Sequence, residues 1–198
     1  MIKDKKQNVD WEKREYEFKK LLDQYRSSNG RYDVVVPGSG GKDSFYVAHQ
    51  LKYKYNMNPL TVTWSPNAYT DVGFSNFQGL IKAGLPNLLG SPNGEVNRKL
   101  VKDCLIELGD PFQPFIYGCA NFPLQIAVNH DIKIIMDGEN GELEYGGDEL
   151  AAENSFSRED EKKYWFSNFE VEKWLEKGYS KKDLYFYSRP SDEIINKK

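Results

Sequence analysis

Residues 32–44, YDVVVPGSGGKDS, constrain the fold more than any other stretch of the chain. Val34-Val35-Val36 is a β-branched run that reads as a short buried strand. It passes directly into Pro37-Gly38-Ser39-Gly40-Gly41, which is too rich in glycine to extend a strand, and a helix is predicted from about Asp43. Strand, tight turn and helix in that order open a βαβ unit, whose next strand lies parallel to the first. The turn has a chemistry of its own. Gly40 and Gly41 carry no side chains to block close approach, successive backbone N–H groups can converge on one concavity, and the helix N-terminus adds partial positive charge. Ser39 and Ser44 supply hydroxyl donors, Lys42 a full charge if it faces the concavity, and Asp43 a carboxylate that suits the first helical turn and a Mg²⁺ ion. The turn therefore reads as a cradle for a phosphate group. It is not a Walker A loop, which would need Gly at Val36 and Ser or Thr at Asp43. It is not a dinucleotide fingerprint either, which would need Gly at Asp43.

The rest of the chain continues the alternation. Asp10 is a plausible cap for a helix over residues 10–26, with Phe18, Leu21, Leu22 and Tyr25 on one stripe. The helix after the glycine loop turns Val47, Ala48, Leu51 and Tyr55 inward. Residues 60–64 read as a strand, 75–83 as a helix stopped by Gly84, 87–89 as a short strand, and 94–108 as a helix ended by Gly109. A proline- and aromatic-rich loop is expected over 110–118, a short helix over 124–129, and a last strand over 132–136. This predicts an α/β fold, a parallel Rossmann-like sheet with helices on both faces. Ligands of such sheets bind at the carboxyl ends of the strands. The loops after Val36, Trp64 and Met136 are thus the places to look for chemistry. From about Gly147 the character changes to a charged and then aromatic-rich stretch that reads as partly helical. Three regions follow: an N-terminal helix over 1–30, a nucleotide-binding domain over 31–147, and a C-terminal extension over 148–198.

Composition removes several function classes. A net charge of −3 gives no sign of a nucleic-acid binder. No apolar run is long enough for a bilayer and the first residues lack a signal-peptide core, so a soluble cytoplasmic chain is expected. Cys104 and Cys119 form no Cys-x-x-Cys pair. Cys104 is expected in the core and Cys119 in a loop. His49 and His130 read as structural, and no Cys–His pairing suggests a glutaminase within this chain.

Ser39-Gly40-Gly41-Lys42-Asp43-Ser44 after a strand resembles the signature of the PP-loop ATP pyrophosphatases. The resemblance implies a Rossmann-like PP-loop fold, ATP with Mg²⁺, and cleavage between the α- and β-phosphates. By that likeness Pro37, Gly38, Ser39, Gly40, Gly41, Lys42, Asp43 and Ser44 hold the nucleotide, with Thr63, Trp64, Gly138 and Asn140 as further contacts. Lys42, Asp43 and Glu139 are the candidate catalytic residues, and Asp43 is the metal ligand. The longer stretches YKYNMNPLTVTWSPNAY over 53–69, Pro111 to Phe115, Gly138-Glu139-Asn140, Glu144-Tyr145-Gly146-Gly147 and Trp174 to Gly178 resemble the N-acetyl sugar amidotransferase family of lipopolysaccharide and pseudaminic-acid biosynthesis. What this implies is ATP-dependent conversion of an acetamido sugar to an acetamidino sugar, with ammonia supplied by a separate glutaminase subunit. Gln113 would border the sugar. Members of that family are longer at both ends, so the 148–198 extension is expected to be incomplete relative to them. Two alternatives stay open: another adenylating PP-loop enzyme, such as a tRNA sulfurtransferase, or a truncated nucleotide-binding subunit without catalysis.

Overall fold

The computed structural model describes residues 10–28, 30–138 and 158–196. Its centre is a three-stranded parallel sheet in the order β1 (Val34–Pro37), β2 (Pro59–Trp64), β3 (Asn87–Gly90). The register pairs Val35 with Leu60 and Val62 with Leu88. Every residue of β2 is buried, as expected for a parallel strand covered on both faces. The fold is α/β with helices on both sides, as the alternation in the sequence predicts.

Alternation along β1 divides the core. Val34 and Val36 face one cluster, with Leu22 of α1 (Trp11–Gln24), Ala48 of α2 (Lys42–His49), Leu51 of the π-helical turn Gln50–Lys54, and Leu80 of α3 (Asp71–Lys82). Val35 faces the other, with Leu60, Val62 and Trp64 of β2. There it meets Leu100 and Cys104 of α4 (Gly94–Leu108) and Tyr117, Phe122 and Ala127 of α5 (Gln113–Asn129). Local chemistry fixes three of the helix starts. Asp10 accepts from Lys13 N, Thr70 from Gly73 N, and Asn93 from Glu95 N and Val96 N. Gly109 closes α4 in the left-handed region at φ 72°.

Four expectations need correction. Helix α3 begins at Asp71, not near Ser75, because Thr70 caps it and Asp71 favours the first turn. The loop expected over 110–118 ends at Phe112: α5 starts at Gln113 and takes in the rest, with Pro114 in the first turn, where a missing N–H costs nothing. Cys119 therefore lies exposed on a helix. Residues 132–136 do not form a full strand. They run parallel beside β1 through one bridge, Val35 with Ile135, in which Val35 N donates to Ile134 O at 3.0 Å and Met136 N to Val35 O at 2.9 Å.

The described part of the C-terminal extension consists of short pieces: Arg158–Asp160 leading into a π-helical turn Glu161–Trp165, α7 (Lys173–Glu176), a 3₁₀ turn Tyr185–Tyr187, and α8 (Asp192–Asn196). Counting Arg158–Asp160 as α6, the stretch between it and α8, from Phe166 to Tyr187, belongs to the main core. Phe166, Val171, Trp174, Tyr179, Leu184 and Tyr187 are all buried in the α4–α5 cluster. Among the described residues no helix is long and apolar enough to cross a membrane.

Candidate functional site

The glycine loop leaves β1 at the carboxyl edge of the sheet and enters α2. Its first glycine is pinned to the neighbouring strand through both flanking peptides: Gly38 N donates to Val62 O at 2.9 Å, and Gly38 O accepts from the Thr63 hydroxyl. Gly40 stands at φ 91°, a conformation that a side chain makes costly. It also has no room for one. A Cβ there would meet the backbone of Asn76 and Phe77 at 2.7–2.9 Å, so α3 passes directly against the loop. Gly41 is the N-cap of α2 and offers no side-chain hydrogen bond, unlike the caps of α1, α3 and α4. The first N–H groups of α2 therefore lack the side-chain acceptor their counterparts have, the condition that suits an anion.

The side chains around the loop are largely in solvent. Ser39, Gly41, Lys42 and Asp43 are exposed. The Lys42 side chain is 90% exposed and that of Asp43 49%, with Lys42 Nζ 3.1 Å from Asp43 Oδ1. The Ser44 hydroxyl donates back to Gly41 O at 3.2 Å and so closes the turn. Gly138 is brought to the same place from the last β1-paired segment. A Cβ there would lie 2.6 Å from Ser44 N and 2.8 Å from the Asp43 carbonyl carbon. Asp137, exposed and one residue earlier, arrives beside it. The sequence reading did not single out Asp137, although an acid just past a strand-like run at the carboxyl edge was the signal for it.

The two residues proposed from the end of β2 are placed differently. Trp64 is 4% exposed, and its ring lies where a Cβ of Gly118 would stand, 5.5 Å from Phe122 and 5.4 Å from Tyr187. Its indole is core. Thr63 is 1% exposed and uses its hydroxyl within the protein. Gln113, expected to border a sugar, is also 1% exposed and donates to Trp165 O at 2.9 Å. Glu139, Asn140, Glu144 and Tyr145 lie outside the described residues. His49, at the end of α2, packs between Phe45 of that helix and Tyr53 of the π-helical turn, and His130 follows the end of α5.

The loop after β2 carries one further polar group. Tyr69, between Phe74 and Phe77, has a buried hydroxyl without a hydrogen-bond partner among the described residues. The same loop is tied to α4 by Asn97, whose amide donates to Asn67 at 3.1 Å and whose oxygen accepts from Tyr187 at 2.9 Å. A cavity of about 190 Å³ lies at the opposite, amino edge of the sheet, bounded by Arg26, Arg31, His130 and Lys133.

For a metal, the described residues bring together no group of three or more His, Cys, Asp or Glu. A lone accessible carboxylate such as Asp43 fits Mg²⁺ shared with phosphates, because that ion keeps several waters and takes only one or two protein oxygens. It does not fit an all-protein metal cage.

No family model matches the chain, and no curated protein matches it. Among solved structures, it is similar to the predicted subunit of a tRNA methyltransferase from Methanocaldococcus jannaschii, at 19% identity, over 81% of this chain and 93% of that one, with a TM-score of 0.41. A likeness of that size carries no argument about activity.

Proposed function

We propose that the chain binds ATP with Mg²⁺ at residues 37–44 and uses it to adenylate an acetamido sugar. The observation that carries the nucleotide half of this reading is the junction of β1 and α2. It has a left-handed glycine at Gly40, a helix N-terminus without a side-chain cap at Gly41, and Lys42 and Asp43 exposed beside it. The N–H groups of the loop and of the first turn of α2 would take the phosphate oxygens, Lys42 would swing from Asp43 onto them, and Asp43 would hold Mg²⁺, whose charge offsets that of the phosphates.

The sugar half rests on the resemblance of the longer sequence stretches to the sugar amidotransferases. An amide carbon is a poor electrophile and its oxygen a poor leaving group. In the proposed reaction the acetamido oxygen attacks the α-phosphorus and pyrophosphate leaves. Ammonia then adds to the activated carbon, and AMP departs with the former amide oxygen, leaving the acetamidine. The chain's contribution is position and charge neutralisation. A glutaminase partner would supply the ammonia, and the setting would be cytoplasmic.

The experiment is a product assay. Purified chain, Mg·ATP, an ammonium salt and a panel of nucleotide-linked acetamido sugars are incubated, and AMP and pyrophosphate are quantified. Sugar-dependent formation of both in equal amounts is the expected result. ATP binding without either product, across the panel and with a glutaminase present, would reduce the reading to a nucleotide-binding subunit.

A further inference from the structure

We propose that Thr63, held by Asn87, is a positioning residue of the glycine loop, setting the direction of the peptide that opens it. The proposal rests on the nucleotide reading of that loop.

On the face of β2 toward α1, α2 and α3, the side chains are Thr61 and Thr63, not the aliphatic residues that β1 presents there. Both are 1% exposed. Two hydroxyls in a covered sheet must find partners or weaken the fold. Asn87, at the start of β3, satisfies both. Its Nδ2 donates to Thr61 Oγ1 and to Thr63 Oγ1, each at 2.9 Å. Because each hydroxyl oxygen accepts from Asn87 on the β3 side, its own proton is directed elsewhere. Thr61 donates to Pro86 O at 2.7 Å, within its own side of the sheet, whereas Thr63 donates to Gly38 O. The bond network thus runs from the edge strand through β2 to the loop.

The consequence for the loop is geometric. Carbonyl and N–H of one trans peptide point in opposite directions. Holding Gly38 O down onto β2 therefore turns the Ser39 N–H away from β2. Ser39 is exposed at the mouth of the turn. A loop built on glycines has little conformational preference of its own, so this tie supplies what Gly38, Gly40 and Gly41 cannot. Thr63 then acts on a phosphate through the loop and does not touch it.

Thr61 gives an internal control, because it shares Asn87 but has no link to the loop. Three variants are compared: Thr63→Val, Thr63→Ser and Thr61→Val. For each, backbone order parameters of residues 38–42, the thermal midpoint and the dissociation constant for Mg·ATP are measured. Thr63→Val should lower the order parameters of the loop from a rigid value of about 0.85 toward 0.6. It should also weaken Mg·ATP by about tenfold, the scale of one lost hydrogen bond. Thr63→Ser should restore both. Thr61→Val should lower the thermal midpoint comparably yet leave loop order and nucleotide affinity at wild-type values. Equal behaviour of Thr63→Val and Thr61→Val in loop order overturns the proposal, whatever happens to stability. If the wild-type chain binds no Mg·ATP, the nucleotide reading fails, and the loop-order comparison alone then decides the positioning claim.

Discussion

Gly40 and Gly41 are neighbours with opposite requirements. Gly40 combines φ 91° with the backbone of α3 within 2.7–2.9 Å of any Cβ, whereas Gly41 has φ −63° and open space around it. Gly40→Ala should cost about 2–4 kcal/mol, the sum of left-handed strain and forced displacement of α3. Gly41→Ala should cost less than about 1 kcal/mol, the difference between glycine and alanine at an N-cap. Chemical denaturation of the two variants checks this, and equal losses would mean that α3 does not press on the loop. The two glycines look alike in sequence. What separates them is a helix that arrives 36 residues later in the chain, counting from Gly40 to Asn76.

At the scale of elements, α5 does more than cover the sheet. Three of its carboxamides catch the backbone of the C-terminal segment. Gln113 donates to Trp165 O, Asn121 to Tyr187 O at 2.7 Å, and Gln125 to Tyr185 O and Ser188 O at 2.5 and 2.6 Å. Each is buried. Asn121→Leu takes the side-chain donor from Tyr187 O and Gln125→Leu takes it from Ser188 O, while Tyr185 O keeps the Ser188 N–H, and each change should cost about 1–3 kcal/mol. Limited proteolysis should then cut first within residues 184–190, while the strands stay protected. Early cleavage elsewhere would contradict this role for α5. The same helix shows where sequence reading stops. Strands β1, β2 and β3, the caps of α1 and α4, and the glycine loop were legible because local chemistry decides them. The start of α5 was not. Gly118 and Pro123 argue against a helix, and the reason for them is tertiary: Gly118 makes way for the Trp64 ring, and Pro123 lies buried inside the helix. Trp64 and Gln113 read as ligand-facing for a related reason. Their place at the carboxyl edge is visible in the sequence, but the direction of a side chain there is set by what packs against it. The bridge of Ile135 to Val35 shows the converse, an apolar run with strand propensity that obtains only one bridge.

For the molecule as a whole, the C-terminal segment, α4 and α5 share one core, and that core holds four buried acids of the weak kind. Burial, reinforced by Asp110 and Asp103, pushes the Cys104 thiol up to about 12 from an ordinary 9.0. Burial likewise raises the hydroxyls of Tyr117 and Tyr187, and burial with the hydrogen bond to Asp103 raises that of Tyr179. These groups stay protonated in the folded chain at a pH where the unfolded chain has lost the protons. Their contribution to stability is intact below the unfolded value and is lost as pH rises toward the folded one. Stability should accordingly fall between about pH 9 and pH 12. Tyrosinate absorbance and far-ultraviolet circular dichroism followed together should show part of the tyrosine titration coinciding with unfolding. Complete tyrosine ionisation in a chain that keeps its secondary structure would show that this core is open to water.

On the proposed function, the turn between β1 and α2 holds a nucleotide. Calorimetric titration of the chain with Mg·ATP, with Asp43→Ala beside it, tests that most directly. Saturable binding by the wild-type chain and at least tenfold weaker binding by the variant are expected, of the order of a charge-assisted contact. No heat of binding from a folded wild-type chain, or equal affinity in the two proteins, would contradict it.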